Sequence, residues 1–210
     1  MPLSDLPPEM QQAFWDRLKE LRMDPSQVLP KITPETHRGP VVFSSDPKES
    51  SVTPHLVVVN SLDEVKRLAG NADADYDSGL MQEHHPIQPA WDAAKNGHDV
   101  SELSAEENNR INAAEMAHIY GHSKHHLSYK EIIERHKYPA VFACFAAEDV
   151  CIDSTNSPFI VTAESGHNYG TITICEGGSI QFEANAVWTV QKMVNSSATS
   201  CPAPGLSAKE

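Results

Sequence analysis

From Ala140 onward the chain is a succession of short apolar runs cut by turn residues, and this pattern restricts its fold more than any other feature. Residues 141–145, 150–152, 159–161, 171–175, 179–183 and 187–194 all carry β-branched, aromatic or cysteine side chains. Clusters of Asn, Ser, Pro and Gly separate them, as expected for strands joined by tight connections. Short strands at this density predict an antiparallel sheet or small sandwich. The loop around Gly177-Gly178 then fixes a hairpin register. A three-residue loop over 176–178 sets Ile174 opposite Ile180 and Ile172 opposite Phe182, and so keeps four apolar side chains on one face. It also places Gly178 in the left-handed conformation that such loops need.

The first two-thirds read differently. Leu6, Met10, Phe14, Leu18 and Leu21 recur at helical spacing, with Pro7-Pro8 in the first turn. Residues 24–55 hold six prolines and read as an irregular segment broken by a short strand at 41–43. Leu56 to Val59 signal a buried strand. Ser61 with Glu64 forms a capping box for a helix that Gly70 stops. Residues 71–79 read as a polar acidic loop, and 86–100 as mixed with Trp91 as an anchor. Ser104 with Glu107 caps a helix reaching about His126, weakened at Gly121, and Ser128 caps another that Pro139 closes.

These readings predict an α+β fold with no internal repeat. A helical and irregular region (1–138) packs on the C-terminal antiparallel β-sheet or sandwich (139–195), and a disordered tail follows (196–210). The three form one compact unit, because the sheet is too small to stand alone.

Charge narrows the partners. With 16 basic against 29 acidic residues the formal charge is −13, which repels phosphate backbones and anionic membranes. Nucleic acid and membrane are therefore excluded as partners. No apolar run approaches the roughly 20 residues of a membrane span. The N-terminus lacks the basic and apolar regions of a signal peptide. A soluble, cytoplasmic protein is the expectation. The four cysteines, Cys144, Cys151, Cys175 and Cys201, form no CxxC pair. They read as buried free thiols, with a Cys144–Cys151 disulfide open only to an oxidising compartment.

One segment carries chemistry by its spacing. Glu115, His118, His122 and His125, with His126 beside them, recur at intervals of three and four and would form one stripe on a helix. Two histidines at i and i+4 can chelate a divalent ion, and Glu-x-x-His is the helical pair of di-iron carboxylate sites. Zinc or iron is the expected ion, with His84, His85, His136 and His167 as candidate completing ligands. HExxH is absent, and so is a second Glu-x-x-His. The same stripe also fits a solvated polar face, or a pH switch in which clustered imidazoles protonate together. Weaker signals are His84-His85, and Asp73, Asp75 and Asp77 as the start of a calcium loop that lacks its Gly and its closing Glu. Ser165, His167 and Asp153 could be imagined as a hydrolase triad, but there is no GxSxG elbow.

Two functions follow as expectations. The first is a non-catalytic binding or assembly protein, a homo-oligomer or a module for a protein partner, associating through the strand edges of the C-terminal sheet. The second is a metal-binding protein or metalloenzyme built on Glu115, His118, His122 and His125. An enzyme that uses no metal is a third.

Overall fold

A computed structural model describes residues 2–92 and 103–201. The mixed stretch from 93 to 100 and the tail beyond Cys201 fall outside them. The chain divides into two compact units: Met1–Val57 with Phe142–Glu210, and Val58–Val141. The second is thus an insertion in the sequence of the first.

The first unit holds helix α1 (Pro8–Glu20) and strands β1 (Leu29–Ile32), β2 (Val41–Phe43), β4 (Ala140–Ile152), β5 (Phe159–Val161), β6 (Ser165–Ile174), β7 (Ile180–Phe182) and β8 (Ala186–Asn195). Strand β3 (His55–Val59) also pairs with β4. The strands form two sheets, ordered β1-β4-β6-β8 and β2-β5-β7. Every pairing with an assigned register is parallel. This overturns the antiparallel sheet or sandwich. Apart from β3 and β4, strands that follow one another in sequence fall in opposite sheets, and from β4 onward each pairs with the strand one circuit later.

The chain therefore winds as a coil, a parallel β-solenoid. Ala147 lies beside Tyr169 and Tyr169 beside Val190, so the circuit takes 22 and then 21 residues. This is the internal repeat that the sequence does not display. The expected hairpin is absent: Ile174 pairs with Ile152 and Asn195, while Ile180 pairs with Phe159. Gly177, not Gly178, takes the positive φ. Gly178 instead passes close to the coil beneath, where a Cβ would stand 2.5 Å from the Ile152 carbonyl oxygen.

Like residues stack in columns inside the coil. Leu29, Ala147, Tyr169 and Val190 form one column, and Ile32, Val150, Ile172 and Met193 another. Val41, Phe159 and Ile180 face them from the second sheet. Phe43, Phe145, Phe159 and Val161 are buried at the centre, each worth about 1.5–3 kcal/mol in apolar burial. The inward parity shifts by one between Tyr169 and Ile172. Gly170 stands at that corner, and a Cβ there would meet the Glu148 carbonyl oxygen at 2.4 Å. Helix α1 lies along the outer face, burying Leu6, Phe14 and Leu18 of the predicted stripe. The Asn168 side-chain amide donates to the Phe14 carbonyl at 2.8 Å.

The second unit is helical: α2 (Leu62–Ala69), α3 (Asp73–Asp77), α4 (Ala105–Tyr120), a 3-10 turn (Ser123–Tyr129) and α5 (Lys130–Lys137). Ser104 and Glu107 close the predicted capping box of α4, while at α2 Ser61 accepts the Glu64 amide but Glu64 accepts the Asn60 amide instead of that of Ser61. Ser128, expected to cap α5, accepts the Trp91 amide, and Tyr129 stands at that helix start. The acidic loop at 71–79 contains a short helix. No described helix is long and apolar enough to cross a membrane.

Candidate functional site

The histidine segment does not form one stripe, because α4 ends at Gly121. A side chain there would collide with the Glu83 carboxylate at 2.7 and 2.8 Å and with the Ala117 carbonyl at 2.5 Å. Glycine thus lets Glu83 reach the chain where it leaves the helix, and Glu83 accepts the backbone N–H groups of His122 (2.7 Å) and His85 (2.8 Å). Lys66 secures the same turn by donating to the carbonyls of His118 (2.9 Å) and Gly121 (2.7 Å). Asp73 accepts the Ser123 amide (2.9 Å) and hydroxyl (2.5 Å). Burial works against the Asp73 carboxylate, but the bonds from Ser123 and Lys66 outweigh it and bring its pKa down to about 2.

The predicted residues scatter accordingly. Glu115 forms an ion pair with Lys137. His122 caps the 3-10 turn, with Nε2 3.0 Å from Asp77 and Nδ1 3.4 Å from Asp73. The His125 ring lies 5.6 Å from that of His122 and 6.5 Å from that of His126. Asp73 and Asp77, the candidate calcium carboxylates, are thus engaged by Ser123, Lys66 and His122.

Two histidines differ from the rest. His118 and His126 are fully buried. His118 Nε2 lies 3.1 Å from Asp63 Oδ1, and its Nδ1 has no partner. His126 has no partner at either ring nitrogen. Burial lowers both pKa values, opposed at His118 by Asp63 and at His126 by Glu83. Both rings are therefore neutral near pH 7, the form that offers a lone pair to a metal. A carboxylate on the other nitrogen, as Asp63 supplies, is the usual support of a ligating histidine. Asp63 and Glu83 carry no local signal of this role. Asp63 reads as part of a helix N-terminus, and both lie tens of residues from the histidines they serve.

His167 has a different environment. Its Nε2 lies 2.9 Å from the Ser165 hydroxyl and its Nδ1 2.8 Å from the Tyr169 hydroxyl, and all three side chains are wholly buried in the coil. Desolvation lowers its pKa to about 3. A serine beside a histidine has the geometry of a nucleophile and base, but this pair is packed between Phe145 and Trp188 and no substrate can reach it. Asp153 bonds elsewhere, to the amides of Thr155 and Cys201. Ser165, His167 and Tyr169 are a core network, and Asp153 is no part of it.

The last coil is the second candidate site. β8 ends the sheet, and among the described residues no strand pairs with its outer edge. The core columns run out there. Val161 and Ile172 are fully buried, yet their neighbours one coil later, Phe182 and Met193, are 54% and 55% exposed. Trp188 packs against Phe182 at 5.6 Å, and its buried indole N–H has no acceptor.

No family model matches this chain, and neither a curated protein nor a solved structure matches it.

Proposed function

We propose that this chain is a non-catalytic assembly module that pairs with a second copy of itself through the outer edge of β8. The observation that carries this reading is the exposed end of the core columns at Phe182 and Met193, beside an edge strand of ten residues. Edge strands are ordinarily blunted by proline, by inward charge or by being short. β8 has no proline and one charged residue, Lys192, in a chain of formal charge −13. The opposite side of the same sheet, beyond β4, carries two short strands instead of one long one: β1, four residues with Pro30 inside it, and β3, five residues. Head-to-tail stacking would need that edge, so the favoured arrangement is β8 against β8 about a twofold axis, which closes as a dimer. Light scattering across a concentration series tests it. Wild type should weigh two chains, and a Phe182→Lys, Met193→Glu variant one. A wild type that stays a single chain at high concentration refutes the reading.

A second reading has its own observation, the unpartnered and buried nitrogens of His118 and His126. It places zinc or iron in the helical unit on these two residues, with Glu115 left aside on Lys137 and His122 on Asp77 and Asp73. Elemental analysis of untagged protein, compared with a His118→Ala, His126→Ala variant, decides it. Equal metal content in the two refutes the site.

A further inference from the structure

The solenoid brings three of the four cysteines together. Cys151 ends an edge of β4, and the next coil carries Cys175 back over it, its N–H donating to the Ile152 carbonyl at 2.8 Å. Residues 196–201 then run alongside: Ser196 donates to the Ile174 carbonyl, Glu176 to the Ala198 carbonyl, and the Cys201 amide to Asp153 Oδ2. Cys201 thereby reaches Cys151 and forms a disulfide with it, 50 residues apart in sequence. Cys175 keeps a free thiol 3.9 Å from the Cys151 sulfur, and the three sulfurs lie within 4.8 Å of one another. Cys144 and Cys175 are the buried free thiols that the sequence suggests, and Cys151 pairs with Cys201 rather than with Cys144.

Two chemistries are open to three sulfurs at this range. In thiol–disulfide exchange Cys175 would attack along the Cys151–Cys201 bond. The attacking and leaving sulfurs would then stand about 6 Å apart, since a disulfide bond is about 2 Å long. The observed triangle is too tight for that line. A tetrahedral zinc with sulfur at about 2.3 Å instead sets its thiolates about 3.8 Å apart. The Cys151–Cys175 separation already has this value. Only Cys201 has to move, and it sits on an irregular segment. Asp153, itself 3% exposed and bonded to the Cys201 amide, adds a fixed negative charge beside the sulfurs.

We propose that reduction of the Cys151–Cys201 disulfide opens a three-thiolate zinc site formed by Cys151, Cys175 and Cys201. A dithiol reductant gives up two electrons and two protons and closes to its own disulfide, leaving Cys151 and Cys201 as thiols. Zinc then displaces three thiol protons, and water takes the fourth coordination position. The protein thus exchanges a covalent staple for a metal staple at the same place, according to the redox state of its surroundings. Outside the cell the disulfide form holds residue 201 in place, and in a reducing compartment zinc does so.

Cobalt(II) is the probe. The full chain is reduced with dithiothreitol, desalted without air and titrated with cobalt. One equivalent should raise an intense near-ultraviolet sulfur-to-cobalt charge-transfer band that zinc abolishes, and air-oxidised protein should raise none. The histidine cluster cannot produce this band. Zinc should also slow alkylation of Cys151, Cys175 and Cys201 in the folded, reduced protein, read by peptide mapping after quenching, without changing the rate at the buried Cys144. Cys175→Ser should cut the band by about a third, whereas Cys144→Ser should leave it unchanged. Absence of the band in reduced wild type overturns the proposal. So does alkylation of Cys151, Cys175 and Cys201 in folded, reduced protein at the same rates with and without zinc, which needs no variant to fold.

Discussion

The imidazole of His167 lies over the indole of Trp188, ring centres 4.9 Å apart and planes 29° from parallel, and Phe145 covers its other face at 5.0 Å. The three are one column of the coil, each a strand apart. A residue that is polar by type is thereby used as core. Ser165 and Tyr169 satisfy its two nitrogens, so it needs no charge and no water.

That arrangement predicts acid sensitivity. The folded pKa of His167, about 3, lies below the unfolded value of about 6.5. Between these values the unfolded chain binds a proton that the folded chain refuses. Stability is therefore full above about pH 6.5 and falls as pH drops toward 3, by up to about 1.4 kcal/mol per unit for one site. His118 and His126, also lowered by burial, act in the same direction. Urea midpoints should fall between pH 7 and pH 5. Carbon shifts of the His167 ring should stay those of the neutral form at pH 5. A protonated ring at pH 5 in folded protein would refute the assignment.

Gly170 marks a close approach between consecutive coils. Gly170→Ala sets a methyl 2.4 Å from a backbone carbonyl that cannot rotate away. We expect a loss of about 2 kcal/mol or more in chemical denaturation. Gly39→Ala, at φ 77 with open space around it, should cost about 1 kcal/mol through backbone strain alone.

Lys66 is the fastening of the helical unit. Lys66→Met removes the donor to the His118 and Gly121 carbonyls and the partner of Asp73. The expected cost is about 1–3 kcal/mol. It should show as faster amide exchange in the last turn of α4, with β6 unchanged. Equal acceleration in both would mean that Lys66 does not act locally.

Much of the fold was legible where the signal is local. The helices capped by Ser61 and Ser104 have their predicted starts, because the serine and the amide it accepts lie within four residues. The runs at 141–145, 159–161 and 187–194 are strands. Their partners were not legible, since a short apolar run between turns looks the same in a meander and in a coil. The repeat that separates the two is hidden twice over. The stacked positions Phe145, His167 and Trp188 share shape and not type, and residues 58–141 interrupt the first circuit. The histidine spacing was misleading for a related reason. Periodicity assumes an unbroken helix, and one glycine, required by the approach of Glu83, turns the stripe into a corner. What replaced it, His118 with Asp63 and His126 alone, depends on contacts that no local window contains.

Amide hydrogen exchange along β8 as a function of protein concentration tests the central claim most directly. If the β8 edge pairs with a second copy, amides on its outer side between Trp188 and Val194 should become protected as concentration rises, while those of β6 stay constant. Exchange of the β8 amides at one rate across the whole concentration range would contradict it.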